Sequence, residues 1–241
     1  RNNIKLFVVK QNRFNLPVIE LKKAFDNNRF GKITLATIRV RWSRDQKYYD
    51  QNKWRGTWLM DGGALTNQAS HHIDLLNWLM GDVESVYAKS ITSLVKIEAE
   101  DTAAVVLKFK NGALGIIEVT MATRPKDLEG SISILGEKGT VEIGGFALNK
   151  MRHWNFLNSN EQDERILKES SENPPNVYGF GHKAFYEHII DHLKNGTKCI
   201  AEAYTARKTL HLINLIYESI ETKKEVHYDD NIVYSKLGKK T

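Results

Sequence analysis

The chain has few of the features that stabilise or direct exported proteins. It contains one cysteine, Cys199, among 241 residues, so no disulfide bond can form within it. No apolar run approaches the roughly 18 residues that a membrane-spanning helix needs, and no signal-peptide pattern opens the sequence. A sequence without these features is typical of a reducing compartment. We therefore predict a cytoplasmic protein that does not associate with a membrane.

Basic residues are numerous but are not concentrated in one segment. The net charge is +6, yet the lysines and arginines are scattered among 29 acidic residues. Nucleic-acid-binding proteins usually carry a basic segment with interleaved aromatic residues, so no nucleic-acid partner is predicted. Arg39 and Arg41 would share one face of a predicted strand. They can hold carboxylate or phosphate oxygens there, or they can protect an edge strand from aggregation.

Motifs for metal binding are also missing. The sequence has no HExxH motif. His71 and Asp74, three residues apart, can share an ion, but no third ligand follows at the spacing of a zinc site. We therefore predict no bound metal.

The composition indicates a folded protein with a sizeable core, because 41% of the residues are hydrophobic. Asn111-Gly112 predicts a hairpin turn, since both residues tolerate positive φ. The polar stretch 158–176 is interpreted as a surface loop. Predicted helices cover 18–28, 62–81, 181–195 and 201–222, and predicted strands cover 33–42, 83–94, 102–110, 113–123, 131–135, 140–143, 147–154 and 225–228.

This order of elements predicts an α+β fold with a large, mainly antiparallel sheet that helices cover on one face. The other face of such an open sheet must be hidden. We expect it to pack on a partner subunit or on a further domain.

The most informative stretch is 62–81, GGALTNQASHHIDLLNWLMG. At helical periodicity one apolar stripe must pack against the core. The stripe consists of Leu65, Ala69, Ile73, Leu76 and Met80. The opposite side of the predicted helix carries Asn67, His71, Asp74 and Trp78.

Asn67 and His71 are four residues apart and would be neighbours on this helix. An amide that donates and accepts hydrogen bonds would then lie one turn from an imidazole that can carry a proton near neutral pH. The two residues are candidates for catalysis. The alternative is a surface or hydrogen-bonded structural histidine, which is the commoner role of a helical histidine.

Three motifs, in this order and spacing, resemble the C-terminal domain of the Gfo/Idh/MocA oxidoreductases, which include NAD(P)-dependent sugar dehydrogenases. They are 62–81, EDTAAVVLKFKNGALGIIEVT at 100–120 and ISILGEKGTVEI at 132–143. The resemblance extends from residue 4 to about residue 228. Within the family, WRGTW and NQASHHIDLL are most similar to UDP-N-acetyl-2-amino-2-deoxyglucuronate dehydrogenases.

The resemblance implies an enzyme that transfers hydride from a sugar hydroxyl carbon to NAD or NADP, with a UDP-sugar uronate as substrate. It implies that His71 is the acid/base. Many family members have aspartate at the position of Asn67, and asparagine cannot tune the histidine as a carboxylate does, so Asn67 is expected to orient the substrate. The expected substrate-binding residues are Trp54, Arg55, Gln68, Tyr178 and His182.

Each of these substrate contacts has a structural alternative. The segment with Trp54, Arg55 and Trp58 can be a packed lid loop. His182 can be a helix-start residue without a ligand. Gln68 and His72, on the flank of the predicted helix, can reach the site or pack beside the sheet.

The family's N-terminal Rossmann domain supplies a glycine-rich phosphate turn and a Glu-Lys-Pro segment, and neither occurs in this sequence. Because the chain starts at Arg1 rather than Met, we expect a fragment. In it, 1–16 would be the remnant of the last Rossmann strand and its connection, and 17–241 the substrate-binding and oligomerisation domain. We expect no tight cofactor binding and no turnover by this chain alone, and a homo-oligomer formed through the open sheet face. The alternatives are a non-catalytic oligomerisation module and a standalone nucleotide-sugar binding domain.

Overall fold

The computed structural model describes residues 4–145, 147–170, 181–229 and 235–239. Its centre is an eight-stranded sheet in the order β7-β6-β5-β1-β4-β3-β2-β8. The strands are β1 (Ile33–Arg41), β2 (Val83–Ile91), β3 (Thr102–Phe109), β4 (Leu114–Thr120), β5 (Glu129–Gly136), β6 (Gly139–Gly144), β7 (Lys150–Phe156) and β8 (Val226–His227). Only β1 and β4 are parallel, and the other neighbouring strands are antiparallel. This confirms the predicted α+β fold with a mainly antiparallel sheet.

Buried and exposed residues alternate along strands such as β3, so one face of the sheet is buried. In β3, Ala103, Val105, Leu107 and Phe109 point into the core, while the residues between them are exposed. The hairpin predicted at Asn111-Gly112 joins β3 to β4, and Gly112 has a φ of 88°.

Six α-helices lie in the described residues: α1 (Leu16–Asp26), α2 (Gln46–Asp50), α3 (Ser70–Met80), α4 (Glu161–Glu169), α5 (Gly181–Asn195) and α6 (Ala203–Thr222). α3 packs against β1, α6 packs against β2, and the two helices contact each other. All five residues of the predicted apolar stripe are buried, with exposures of 0–4%. In the part of the chain that the structure describes, no helix has the length and apolarity needed to cross a bilayer.

The stretch 158–176 was predicted to be a loop, but it contains α4. The helix begins with a capping box, in which Asn160 accepts from the Asp163 backbone N–H and Asp163 accepts from the Asn160 backbone N–H. Asp163 is further fixed by Arg29 and by the indole N–H of Trp154. These bonds lower the pKa of Asp163 to about 2, with the Arg29 hydrogen bond as the main cause. The Asn-x-x-Asp spacing was the sequence signal for this helix.

Of the two interpretations of the arginine pair, the edge-strand one was wrong, whereas these arginines do hold carboxylate oxygens, namely those of the protein itself. β1 lies in the middle of the sheet, so Arg39 and Arg41 do not protect an edge. Arg41 binds Glu118 with two hydrogen bonds of 2.6 and 2.7 Å and Glu129 with one of 3.1 Å. Arg39 lies 3.8 Å from Glu118. Neighbouring carboxylates on β4 and β5 therefore occupy these guanidinium groups.

The chain enters the fold along α6 before the first helix. Val8 donates to the carbonyl of Ala201, and Phe7 forms an isolated bridge with Glu202. A 3-10 turn, Gln11–Phe14, then leads into α1, which starts two residues earlier than predicted, with Pro17 in its first turn.

Candidate active site

A cavity of about 310 Å³ lies where the 3-10 turn, the end of β1, α2 and the start of α3 meet. It brings together five of the seven sequence-predicted site residues: Trp54, Arg55, Asn67, Gln68 and His71. The other lining residues are Gln11, Asn12, Trp42, Arg44, Tyr48, His72 and Ala147.

This cavity holds most of the unpaired polar atoms of the described structure. Nine buried side-chain nitrogen and oxygen atoms have no hydrogen-bond partner there, and six of them belong to residues that line this cavity. The six atoms are on Gln11, Trp42, Arg55, His71 and His72. A groove of about 600 Å³ between α1 and α4 is larger, but none of the nine atoms lies on its lining residues. Because unpaired buried polar groups are costly, their concentration favours the smaller cavity as the ligand site.

His71 is the second residue of α3, and its Nδ1 is buried without a partner in the described residues. Burial lowers its pKa to about 4, and positive charge at Lys10 and at His182 acts in the same direction. Asp74 opposes the shift. The imidazole is therefore neutral at pH 7 and can accept a proton.

Asn67 belongs to a hydrogen-bonded chain on the cavity wall. Its Nδ2 donates to Asp61 at 2.5 Å, and its Oδ1 accepts from Gln68 Nε2 at 2.5 Å. Gln68 also donates to the hydroxyl of Tyr48 at 2.8 Å. These bonds determine the orientation of the Asn67 amide, which no sequence pattern indicated.

The helix predicted over 62–81 is only partly present, because residues 63–69 form irregular turns before α3 begins at Ser70. Glu100, 3% exposed, holds these turns: its Oε1 accepts from the Leu65 backbone N–H at 2.9 Å and from the Tyr217 hydroxyl at 3.1 Å. Burial raises the pKa of Glu100 to about 7. A Cβ on Gly63 would lie 2.2 Å from the Glu100 carboxylate, so the turn requires glycine. Asn67 therefore precedes α3, although it still shares the cavity with His71.

The two arginines of the cavity differ in their partners. Arg44 is paired with Asp127 at 3.1 Å and also donates to a backbone carbonyl. The guanidinium of Arg55 lies over the rings of Tyr48 and Trp54, with distances of 4.1 and 4.9 Å to the ring centroids. No carboxylate in the described residues pairs with Arg55, and its Nε is buried without a partner. Arg55 thus provides an uncompensated positive charge.

His182 and the further candidate Trp58 do not line this cavity. His182 is in the first turn of α5 and influences the pKa of His71, but it is not among the lining residues. Tyr178 lies outside the described residues. Trp58 packs edge-on against Tyr217, at 5.1 Å between ring centroids, and does not line the cavity.

The carboxylate of Asp74 is not available to a metal. It forms a bidentate ion pair with Arg13, with both distances 2.7 Å, and the two side chains are 1% and 2% exposed. Asp74, on the side of the helix opposite the apolar stripe, is therefore covered by Arg13 and not exposed to solvent. Across the described ranges, no group of three or more His, Cys, Asp or Glu side chains is arranged to hold a metal ion.

Two lining residues, Gln11 and Asn12, were not indicated by the sequence, whereas His72 was expected either to reach the site or to pack beside the sheet. Gln11 and Asn12 in the 3-10 turn are 4% and 6% exposed, and His72 is 1% exposed and packs edge-on against Trp42 at 5.6 Å. Burial lowers the pKa of His72 to about 3. The only signal for Gln11 and Asn12 was a polar QN pair between an apolar run and Pro17, which gives no periodicity.

Two sequence relatives of the chain are named dehydrogenases. It is 27% identical to a D-apiose dehydrogenase from Rhizobium rhizogenes over 163 residues, which are 65% of this chain and 46% of that protein. It is 30% identical to a myo-inositol 2-dehydrogenase from Thermotoga maritima over 168 residues, 68% of this chain and 46% of that protein. The chain thus spans about half the length of these relatives.

Two solved structures of WlbA dehydrogenases, each in complex with NADH and UDP-GlcNAcA, share both fold and sequence with the chain. The protein from Chromobacterium violaceum is 45% identical, with a TM-score of 0.87, over 94% of this chain and 64% of that chain. The protein from Bordetella pertussis is 42% identical, with a TM-score of 0.85, over 95% of this chain and 64% of that chain.

Residues 22–228 match the family model described as the oxidoreductase family, C-terminal alpha/beta domain. The match agrees with the observed sheet, helices and strand order. Because it covers most of the sequence, the chain belongs to the Gfo/Idh/MocA oxidoreductase family and contains its C-terminal α/β domain.

Proposed function

We propose that this chain is the substrate-binding part of an NAD(P)-dependent nucleotide-sugar dehydrogenase that oxidises a sugar CH–OH group, with a UDP-sugar uronate as substrate. The observation that carries the proposal is a neutral His71 in a cavity that also contains Arg55, with His71 Nδ1 and Arg55 Nε both buried and without a hydrogen-bond partner among the described residues. The WlbA relatives, which bind NADH and UDP-GlcNAcA, support this substrate class.

The proposed oxidation removes two hydrogens from the sugar. The hydroxyl proton passes to the imidazole of His71, and the carbon–oxygen double bond forms as the hydrogen on that carbon leaves with its electron pair. The nicotinamide ring, when bound, accepts this hydride. His71 fits the role of base because burial keeps it unprotonated at neutral pH. Asn67, with its amide fixed by Asp61 and Gln68, holds the sugar hydroxyl toward His71.

Arg55 and the aromatic residues determine how the substrate is held. A guanidinium without a carboxylate partner can form charge-assisted hydrogen bonds to the uronate carboxylate or a phosphate. Tyr48 and Trp54, which lie under the guanidinium, keep it in place and offer ring faces to a sugar or a base. The loop with Trp54 and Arg55 thus acts in binding rather than only as a lid, and Gln68 contributes by orienting Asn67. His182, in the first turn of α5, is proposed to extend the substrate site, and Tyr178 is kept as a proposed substrate contact.

The sequence contains no glycine-rich phosphate turn that could hold a dinucleotide. We therefore assign cofactor binding to a Rossmann domain outside this chain, and we expect the 241 residues alone to show no turnover. Separate assays with NAD and with NADP as oxidant identify the cofactor.

The test of the proposal is His71→Asn in the complete enzyme, with UDP-GlcNAcA as substrate and NADH formation as the readout. Loss of a general base lowers kcat by about 10²–10⁴-fold, while KM changes little. His153→Asn, at an exposed position of β7, is the matched control and keeps full activity. A His71→Asn enzyme with nearly unchanged kcat would contradict the proposal and favour the non-catalytic alternatives.

A turnover assay of the complete enzyme separates the standalone-binder alternative from the dehydrogenase. A standalone nucleotide-sugar binding domain would bind UDP-GlcNAcA and never turn it over, even when the adjoining domain and cofactor are present. Turnover by the complete enzyme excludes that alternative.

The open face of the sheet is proposed to bind a second copy of the chain. Val106, Leu114 and Ile116 are 51%, 49% and 38% exposed. Tyr87 of β2 pairs with Val106, and Leu135 of β5 is separated from Leu114 by β1. This apolar area favours an oligomer. Ile116→Lys should shift the mass measured by light scattering toward the monomer, and an unchanged mass would place the interface elsewhere.

A further inference from the structure

Gln11 is a buried polar residue that the proposed reaction leaves without a role. Its side chain is 4% exposed and lines the same cavity as His71 and Arg55. We infer that Gln11 is a further ligand-binding residue, which binds a neutral hydrogen-bonding group of the sugar, a hydroxyl or an acetamido group. The inference rests on the proposed function and adds to it a specific contact.

The first argument is the missing partner of the Gln11 carboxamide. Its Oε1 is buried and has no hydrogen-bond partner in the described residues. A buried carboxamide that lacks partners destabilises the protein. Such a cost is expected at sites that bind ligands, where a residue's role in binding outweighs its cost in stability.

The second argument is the rigidity of the turn that carries Gln11. Arg13 in the same 3-10 turn is bound to Asp74 of α3 and to the carbonyl of Ile200. A Cβ on Gly181 would lie 2.0 Å from the Gln11 carbonyl oxygen, so α5 begins directly against this backbone. These contacts hold the backbone of the turn against α3 and α5. Gln11 is therefore preorganised for a group inside the cavity.

The third argument is the division of charge in the cavity. Arg55 is available for the negative group of the substrate, whereas Gln11 is neutral and both donates and accepts hydrogen bonds. Exchanging the amide nitrogen and oxygen leaves this chemistry unchanged. Sugar hydroxyl and acetamido groups also donate and accept, so they match a carboxamide better than a phosphate or carboxylate does.

The experiment compares Gln11→Leu with the wild type in the complete enzyme. Calorimetry measures the Kd of three probes: UDP-GlcNAcA, UDP-glucuronate, which has a hydroxyl in place of the acetamido group, and NADH. A melting curve without ligand reports stability. Gln162→Leu, at an exposed position of α4, is the matched control.

We expect Gln11→Leu to weaken UDP-GlcNAcA binding by about three- to tenfold, the effect of one neutral hydrogen bond. NADH binding should be unchanged, and the melting temperature should stay the same or rise, because an unpaired polar group has been removed. An equal loss for UDP-glucuronate assigns Gln11 to a hydroxyl, and a smaller loss assigns it to the acetamido group. Both results support the inference, and the Gln162→Leu control should change none of the values.

Three results would overturn the inference. Unchanged binding of both sugars would mean that water, and not the substrate, supplies the missing hydrogen bond of the Gln11 carboxamide. Weaker NADH binding with unchanged sugar binding would assign Gln11 to the cofactor. A lower melting temperature with weaker binding of every probe would make Gln11 structural. A wild-type enzyme that binds no UDP-sugar would instead refute the proposed function, on which the inference depends.

Discussion

The buried ion pair between Arg13 and Asp74 should be the most sensitive polar contact of the fold. It joins residues 61 positions apart through two hydrogen bonds of 2.7 Å. Thr209 donates to the same carboxylate at 2.8 Å, and Ile200 accepts from the guanidinium at 2.5 Å. The ion pair connects the 3-10 turn, which contains Gln11, to α3, whose second residue is His71.

The perturbation is Arg13→Met, Asp74→Leu and the double variant. Each single change leaves one buried charge without its partner, which costs about 3–5 kcal/mol. A domain of this kind has a total stability of only about 5–15 kcal/mol, so each single variant should be close to unfolding. The double variant removes both charges and should be less destabilised than the sum of the two, with a coupling energy of about 2–3 kcal/mol.

Urea unfolding followed by tryptophan fluorescence gives the free energy of unfolding for the four proteins. Lys108→Met with Glu84→Leu, an exposed pair 3.1 Å apart, is the control cycle and should show a coupling energy below about 1 kcal/mol. The reasoning is refuted if the Arg13 and Asp74 effects add within about 0.5 kcal/mol.

Three further predictions concern groups around the cavity. The pKa of Glu100 rises from 4.5 to about 7 on folding, so Glu100 loses its proton at a lower pH in the unfolded chain than in the folded protein. The free energy of unfolding should therefore fall by up to about 3 kcal/mol as the pH rises from 4.5 to 7. Glu100→Gln should abolish that fall in urea titrations, and an equally steep fall in the variant would exclude Glu100 as its source. Asp61→Ala frees the Asn67 amide and should lower kcat about tenfold with little change in KM, and an unchanged kcat would show that this orientation is unimportant. Arg55→Met should raise the KM for UDP-GlcNAcA at least tenfold. Arg44→Met breaks an existing ion pair and should mainly lower the melting temperature. A raised KM in Arg44→Met together with an unchanged KM in Arg55→Met would reverse the roles given to the two arginines.

Local patterns in the sequence predicted the sheet and the buried side of α3. Strand alternation and the apolar stripe that ends at Met80 are periodic over many residues, and hydrophobic burial follows such periodicity directly. The start of α3 was not predictable in this way. Glu100, 35 residues from Leu65, holds the preceding turn, and no local propensity reports a contact of that separation.

The residues of the candidate site also fall into those that local motifs predicted and those that only tertiary contacts bring in. Trp54, Arg55 and His71 were found because they lie within short motifs near one helix. Gln11 joins them only through tertiary contacts, such as the ion pair that Arg13 of the same turn forms with Asp74, 61 positions away. The missed helix α4 is different, because its Asn-x-x-Asp capping box was present in the sequence and was overlooked.

Three carboxylates elsewhere in the fold are paired with arginines, whereas two buried polar groups of the cavity are not. This difference indicates which residues act on a ligand. Asp74, Asp163 and Glu118 are all bound to arginines, so their charges are satisfied within the protein. His71 and Gln11 are buried without such partners. Folding alone would favour apolar residues at both positions, because each unpaired group costs stability. Their presence within one small, rigid cavity is explained if a ligand supplies the missing hydrogen bonds.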